Sequence, residues 1–367
     1  MLEDSFDISN LRRVLVIKLR HHGDVLLSSP VFSVLKNHAP HLEIDALVYK
    51  DTAEMLTLHP AISQIQTIDR NWKHQGILTQ FQAEWRLLSI LKTRHYDLVI
   101  HLTDSNRGLL VKLLCGARFG VAPKLPSKGK FWRAGFSHRY PLHHGNTRHT
   151  VESNLDALRR IGIYPGLTER ALTLIAGVEA EAQVMDLLAM HGLKGGDFIH
   201  FHPASRWLFK CWPQKNCVQL IEELQREGHR IVISAAPDPH EIELVAAIIN
   251  PLACPVINLA GRLTLKQLAA LNARAKLFIG MDSAPMHIAA AMRVPTVALF
   301  GPSGEKEWGP WMTPHRILLS AHSCRPCGND GCGGGKRSEC LSAIEPDAVV
   351  TAVHQLLTSA TERNNPE

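Results

Sequence analysis

The sequence predicts an α/β protein of two Rossmann-like domains, each built on a parallel sheet, with the two sheets facing a central cleft. Three observations point there. Short apolar runs alternate with helical patterns through both halves of the chain, the signature of βαβ units rather than of a barrel of short strands. The 367 residues, 45% hydrophobic and 20% charged, suit two cores of about 150 to 200 residues each. A turn-rich stretch, Gly162 and then Tyr164-Pro165-Gly166, interrupts the pattern and sets a boundary near residues 162–178. The expected division is therefore 1–170, 171–345, and a C-terminal helix and tail, 346–367, packing back on the first domain.

In chain order, the first apolar run is Val14 to Leu19, and it feeds His22-Gly23-Asp24-Val25-Leu26-Leu27-Ser28-Ser29-Pro30, a loop opening into a helix. Strand carboxyl ends are where parallel sheets bind ligands, so Asp24 is a candidate functional carboxylate; the plainer reading is a helix-capping Asp. Further strands are read at Ile44 to Val48, Ile65 to Ile68 and Leu98 to Leu102, and a helix at Val151 to Ile161 carries Leu155, Leu158 and Ile161 on one face. The second half repeats the scheme with Phe198 to His202, Ile231 to Ala235, Val256 to Leu259, Leu277 to Met281 and Thr296 to Phe300. An amphipathic helix from Pro346 to Leu357 begins with Pro in its first turn, and a polar tail follows Ala360.

Three loops of the second half carry groups suited to an anion. Off the strand ending at His202 comes Ser205-Arg206-Trp207-Leu208-Phe209-Lys210-Cys211-Trp212-Pro213, where Ser205, Arg206 and Lys210 can face a diphosphate and Trp207 and Trp212 can wall a pocket. Glu241, beyond Pro237-Asp238, is placed either to accept from ribose hydroxyls or merely to decorate a helix start. Gly280-Met281-Asp282-Ser283-Ala284-Pro285-Met286-His287 runs from a strand straight into a helix. Free N–H groups and the helix dipole favour phosphate there, although an Asp-Ser cap is a common alternative.

The formal charge of +6 is uneven: residues 1–150 hold 20 Lys and Arg against 12 Asp and Glu, and the remainder 20 against 22. No acid lies between Asp104 and Glu152, where Arg107, Lys112, Arg118, Lys124, Lys128, Lys130, Arg133, Arg139 and Arg148 all fall. An anionic partner fits this segment, and its aromatics, Phe119, Phe131, Trp132, Phe136 and Tyr140, suit a membrane interface, sugar stacking or simple packing. A solvated basic face is the bland alternative. Nucleic acid is disfavoured, because no recognition module accompanies the charge. No stretch approaches the ~18 apolar residues of a membrane span, and the opening MLEDSFDISN is too acidic for a signal peptide; a cytoplasmic protein is expected.

Cys115, Cys211, Cys217 and Cys254 are scattered singly, whereas Cys324, Cys327, Cys332 and Cys340 fall within 17 positions. Free thiols are the simpler expectation for that run, with structural zinc as the alternative and disulfides last. The chain lacks a Gly-x-Gly-x-x-Gly fingerprint, a Walker loop, any Asp-x-Asp and any Tyr-x-x-x-Lys. Dinucleotide redox chemistry, P-loop chemistry and the usual metal-bound diphosphate site of sugar transferases thus lack their residues, and no cofactor is expected. A diphosphate leaving group would instead need cationic side chains and a helix dipole.

His22-Gly23-Asp24 with Pro30, the Ser205-to-Pro213 loop, Gly280-x-Asp282-Ser283-Ala284-x-x-His287 and the following Val294-Pro295-Thr296-Val297-Ala298-Leu299-Phe300-Gly301-Pro302 together resemble the ADP-heptose:lipopolysaccharide heptosyltransferases, glycosyltransferase family 9 of the GT-B fold. The resemblance spans nearly the whole chain. It implies an inverting, metal-independent transfer of L-glycero-D-manno-heptose from ADP-heptose to the lipopolysaccharide inner core, with Asp24 as general base and Lys210 neutralising the leaving diphosphate. By the same match Ser205, Arg206, Glu241, Leu263, Asp282, Ser283, Ala284 and His287 line the donor site. His22, Gly23, Arg107, Arg118, Lys124, Lys128 and Lys130 are the acceptor-side candidates, and contact with the cytoplasmic face of the inner membrane is expected to be peripheral. The forms HHGDVLLSSP and CRPCGNDGCGGGKRSECL favour a member that adds the third, branching heptose, with one adding the second as alternative. An ADP-sugar epimerase or dehydrogenase, and a non-catalytic binder of anionic surfaces, are the readings from other classes.

Overall fold

A computed structural model describes residues 6–143 and 145–364. The start of the chain, residues 1–5, and the end of the expected polar tail, residues 365–367, lie outside the described residues. The chain divides into two compact units, one running to residue 174 and the other from 175 onward, with residues 145–147 grouped with the second.

The first unit is a parallel sheet of β1 (Arg13–Ile17), β2 (Glu43–Tyr49), β3 (Gln64–Ile68), β4 (Leu98–His101), β5 (Phe119–Lys124) and β6 (His138–Pro141), in the order β3-β2-β1-β4-β5-β6. β1 is central, so both its faces are covered, and Val14 through Ile17 are buried without alternation. Right-handed crossovers put the connecting helices on opposite faces according to the direction of travel. Ser29–His38 packs with Thr150–Arg159, while Ile77–Thr93, Asn106–Leu114 and Lys130–Gly135 lie side by side.

The second unit repeats the plan with β7 (Phe198–His202), β8 (Arg230–Ile233), β9 (Ile257–Asn258), β10 (Leu277–Met281), β11 (Thr296–Leu299) and β12 (His315–Leu318), ordered β12-β11-β10-β7-β8-β9 and also parallel. Counted from its own first strand, each sheet has the same order, 3-2-1-4-5-6.

β5, β6 and β12 are strands that the apolar runs do not predict. β6 and β12 are four-residue edge strands, HRYP and HRIL, and an edge strand needs neither length nor an apolar run; β5 is broken up by Gly120 and Pro123. A Cβ at Gly120 would stand 3.0–3.2 Å from the Phe136 ring, Lys112 and the Gly135 carbonyl, so a larger residue needs those neighbours to give by a few tenths of an ångström. The acid-free segment therefore includes a folded strand-helix-strand, with Arg118, Lys124, Lys130 and Arg133 exposed on it. Most of its aromatics pack: Trp132, Phe136 and Tyr140 are buried, Trp132 donates to the Pro123 carbonyl at 3.0 Å, and Phe119 stacks on Phe6. Phe131 alone of the five stands outside, 84% exposed.

The C-terminal helix, Pro346–Asn364, packs on the helix Gln214–Arg226 and on β10, β11 and β12. Its Val349, Val353 and Leu356 belong to the core of the second unit, to which the helix is assigned. Trp212 likewise is core and not pocket wall: it is 2% exposed and donates through Nε1 to the Ile344 carbonyl at 3.0 Å.

Candidate active site

In an open parallel sheet, ligands bind beyond the strand carboxyl ends where the strand order reverses, because neighbouring loops there diverge to opposite faces. Each unit has one such reversal, between β1 and β4 and between β7 and β10. Asp24 follows β1, Lys210 follows β7 and Asp282 follows β10, so these three lie at the two reversals.

In the second unit Lys210 closes a short 3-10 turn, Leu208–Lys210, after β7, and Asp282 directly follows β10. The structure joins them across the reversal: Lys210 Nζ donates to Asp282 Oδ2 at 2.5 Å, with Asp282 buried and Lys210 about one-fifth exposed. Ser205 is buried and accepts from the Trp207 amide at 3.4 Å; Arg206 is exposed, its guanidinium 5.5 Å from the Trp207 ring centroid. Ser283 occupies the cap position of the helix Ala284–Ala291, yet its hydroxyl makes no capping bond and reaches only the Met281 carbonyl at 3.5 Å. The simple capping account of this motif is therefore not what the side chain does. Ala284 starts the helix half-buried, and His287 is buried on it.

Glu241 and Leu263 follow β8 and β9 on the same carboxyl edge. Glu241 is buried on the helix Pro239–Ile249, whose cap is Asp238, and its Oε2 accepts from the Ala236 amide at 3.0 Å. Burial pushes its carboxyl pKa up, partly offset by that bond. Behind it runs a buried polar chain that no sequence pattern disclosed: Asn272, His200, Ser234 and His202 are linked at 2.7–2.8 Å, and His202 Nε2 stands 4.0 Å from Glu241 Oε2. Burial lowers the pKa of His200 to about 4 and of His202 to about 3, so both are neutral at physiological pH.

In the first unit Asp24 lies in the short helix His22–Leu26 directly after β1. His21, not Asp24, is its cap. Asp24 is half-buried, and its carboxylate accepts no hydrogen bond among the described residues. Lys18, a lone Lys in the apolar run off β1, feels the charge of Asp24. Lys18 is buried and donates to Asn154 Oδ1 at 3.0 Å and the Leu102 carbonyl at 3.4 Å. Burial lowers its pKa, and the charge of Asp24 is the largest opposing influence.

His22 braces this loop through Nε2 to the Asp51 carbonyl at 2.9 Å, with Gly23 half-buried beside it. A cleft of about 340 Å³ opens next to it, lined among others by Arg20, His21, Arg70, Trp72, Glu84 and Arg107. Arg107 pairs with Glu84, so one acceptor candidate does border the site. Lys124, at the end of β5, and Lys128 and Lys130 share the carboxyl edge two strands away from β1, about 10 Å to the side. Lys128 is occupied by Asn106 Oδ1 at 2.7 Å. Arg118 is displaced from the group. It precedes β5, beside Asp97 and Phe119 at the amino edge, roughly 17 Å away along the strands.

Among the described residues no group of three or more His, Cys, Asp or Glu side chains is arranged to hold a metal ion. Cys324, Cys327 and Cys332 are exposed, while Cys340 is buried within the helix Glu339–Ser342.

Two doubly wound parallel sheets of the same strand order, with cationic and acidic groups at their switch points, are the architecture of the GT-B fold. Comparison with known proteins names the family. The sequence profile of glycosyltransferase family 9 (heptosyltransferase) matches residues 84–336. The chain is 33% identical, over 94% of its length and 98% of the relative's, to lipopolysaccharide heptosyltransferase 3 of Escherichia coli. Its backbone is similar to that of a glycosyltransferase family 9 protein from Veillonella parvula, with a TM-score of 0.82 and 23% identity, covering 97% of this chain and 99% of the other. It is also similar to E. coli ADP-heptose lipopolysaccharide heptosyltransferase II, with a TM-score of 0.73 and 22% identity over 95% and 99%. The chain belongs to glycosyltransferase family 9, the heptosyltransferases.

Proposed function

We propose that this enzyme transfers L-glycero-D-manno-heptose from ADP-L-glycero-D-manno-heptose to the lipopolysaccharide inner core, without a metal and with inversion, adding the third, branching heptose to heptose II. The observation that carries the donor half is the Lys210–Asp282 ion pair at the β7/β10 reversal. It keeps a cation half-buried where a diphosphate would sit, on a counter-ion the ligand can displace. The third-heptose assignment rests on the 33% identity to a heptosyltransferase 3 along nearly the full chain.

In this reading an acceptor hydroxyl oxygen attacks heptose C1 as its proton passes to the Asp24 carboxylate. The bond from C1 to the β-phosphate oxygen breaks, and its electron pair leaves on ADP, where Lys210 offsets the charge. Asp282, Ser283, Ala284 and His287 border the heptose and phosphates, Ser205 and Arg206 the diphosphate, and Glu241 and Leu263 the nucleoside. His22 and Gly23 with Arg107 border the acceptor. Lys124, Lys128 and Lys130 offer charge to its phosphates from further along the edge, and Arg118 is not retained in this set.

The acceptor is lipid-anchored, and we take the enzyme to work at the cytoplasmic face of the inner membrane by peripheral contact. Among the described residues no helix is long and apolar enough to cross a membrane. The test is mass spectrometry of product after incubation with ADP-heptose and cores truncated at one, two or three heptoses. One heptose added only to the two-heptose core supports the reading; addition to the one-heptose core points to a second-heptose enzyme, and no transfer to any core rejects both.

A further inference from the structure

The three helices covering one face of the first sheet, Ile77–Thr93, Asn106–Leu114 and Lys130–Gly135, are apolar on the wrong side. A helix packed on a sheet normally shows water its polar stripe. Here Leu78, Phe81 and Trp85, spaced at three and four residues, are 79%, 64% and 65% exposed; Leu110 and Leu114 of the next helix are 56% and 50%, and Phe131 of the third is 84%. Phe81 and Trp85 stack with 6.3 Å between ring centroids, and the three helices adjoin one another. Single exposed apolar residues need no explanation, but a contiguous group of this kind marks a contact surface.

The charge of the same helices indicates what it contacts. They carry Arg86, Lys92, Arg107, Lys112, Lys130 and Arg133 against one acid, Glu84, which is paired with Arg107. A second copy of the chain meeting this face would set like charges against like. A helix of the second unit, Val178–Met190, also exposes apolar residues, Val178, Met185 and Met190, but bears Glu179, Glu181 and Asp186 and no Lys or Arg. That helix lacks the cations that accompany the exposed apolar side chains of the first unit's helix layer.

From this we infer that the outer face of these three helices docks on an anionic lipid surface, with Phe81, Trp85 and Phe131 entering the headgroup boundary and the cations meeting lipid phosphates. This deepens the proposed function, on which it rests for its setting, since a lipid-anchored acceptor has to be met at a bilayer. Stable interfacial binding takes two signals, and the patch supplies both.

The test is co-sedimentation of the full chain with vesicles of phosphatidylcholine alone or with one-third phosphatidylglycerol. The expected result is binding to the anionic vesicles that weakens with salt, and a loss of at least about tenfold in the Phe81→Ser/Trp85→Ser double variant. A Phe131→Ser variant on a separate helix should show a smaller loss, so the result does not depend on one helix keeping its fold. Transfer to a deacylated, lipid-free acceptor should be unchanged in each variant. Equal binding by wild type and variants, no preference for anionic vesicles, or a change in self-association in place of vesicle binding would overturn the inference. Vesicle binding is read without donor or acceptor, so absence of heptose transfer by the wild type would count against the proposed function alone.

Discussion

The two units share one strand order but treat the reversal point of the sheet in opposite ways. In the second, the functional cation rests on its own counter-ion, Lys210 on Asp282, above a chain of buried polar groups. In the first, the Asp24 carboxylate takes no hydrogen bond from the described residues, and the buried cation Lys18, which feels its charge, is committed to Asn154 and Leu102. A general base needs a lone pair that nothing else holds, because each donor bound to a carboxylate stabilises its charged form and makes it a weaker base. A cation waiting for a diphosphate has no such need and is better kept paired than buried alone. On the proposed function, the same scaffold serves a base in one unit and an anion clamp in the other through what surrounds the first loop.

The sharpest way to break this comparison is Asp24→Asn, which keeps the shape and removes the basic oxygen. Transfer should fall about 10²- to 10⁴-fold, measured in steady-state assays, with the melting temperature unchanged; a near-wild-type rate would move the base elsewhere. Lys210→Ala should cost about 10²- to 10³-fold. A loss confined to KM for the acceptor would contradict its place on the donor side.

Acidification separates the units by their buried histidines. His101 in the first and His200 and His202 in the second are held neutral, their pKa values lowered by burial to about 4, about 4 and about 3. The unfolded chain takes up protons near pH 6.5 and the folded chain does not. The stability these groups lend is therefore whole above about pH 6.5 and is lost as the pH falls toward 4 and 3, by about 3 kcal/mol for His200 alone. Hydrogen exchange at pH 7 and pH 5 should show the second unit losing protection more steeply, and His200→Asn should flatten its slope.

The smallest effects distinguish the two edges of the first sheet. Arg107→Ala, beside the cleft, should raise acceptor KM about tenfold, whereas Arg118→Ala at the amino edge should change it less than about twofold. Equal effects would mean that the acceptor does not lie along the carboxyl edge.

The central strands were legible because a strand buried on both faces must be an apolar run, as in Val14–Ile17 and Leu277–Met281. The edge strands β6 and β12 were not, since HRYP and HRIL carry no such constraint. Asp24, Lys210 and Asp282 could be picked out because each sits in a loop directly after a readable strand. Their settings could not: the Lys210–Asp282 pair spans 72 positions and the Lys18–Asn154 bond 136, and contacts that distant leave no local pattern. The same limit made Trp212 look like a pocket wall and Arg118 like a neighbour of Lys124, because spacing along the chain does not tell one end of a strand from the other.

The division of labour is tested most directly by calorimetric titration of ADP-heptose into Asp24→Asn and Lys210→Ala beside wild type. The account predicts wild-type donor affinity in Asp24→Asn, despite its lost transfer, and affinity weakened at least about tenfold in Lys210→Ala. Donor binding lost with Asp24, or retained without Lys210, would contradict it.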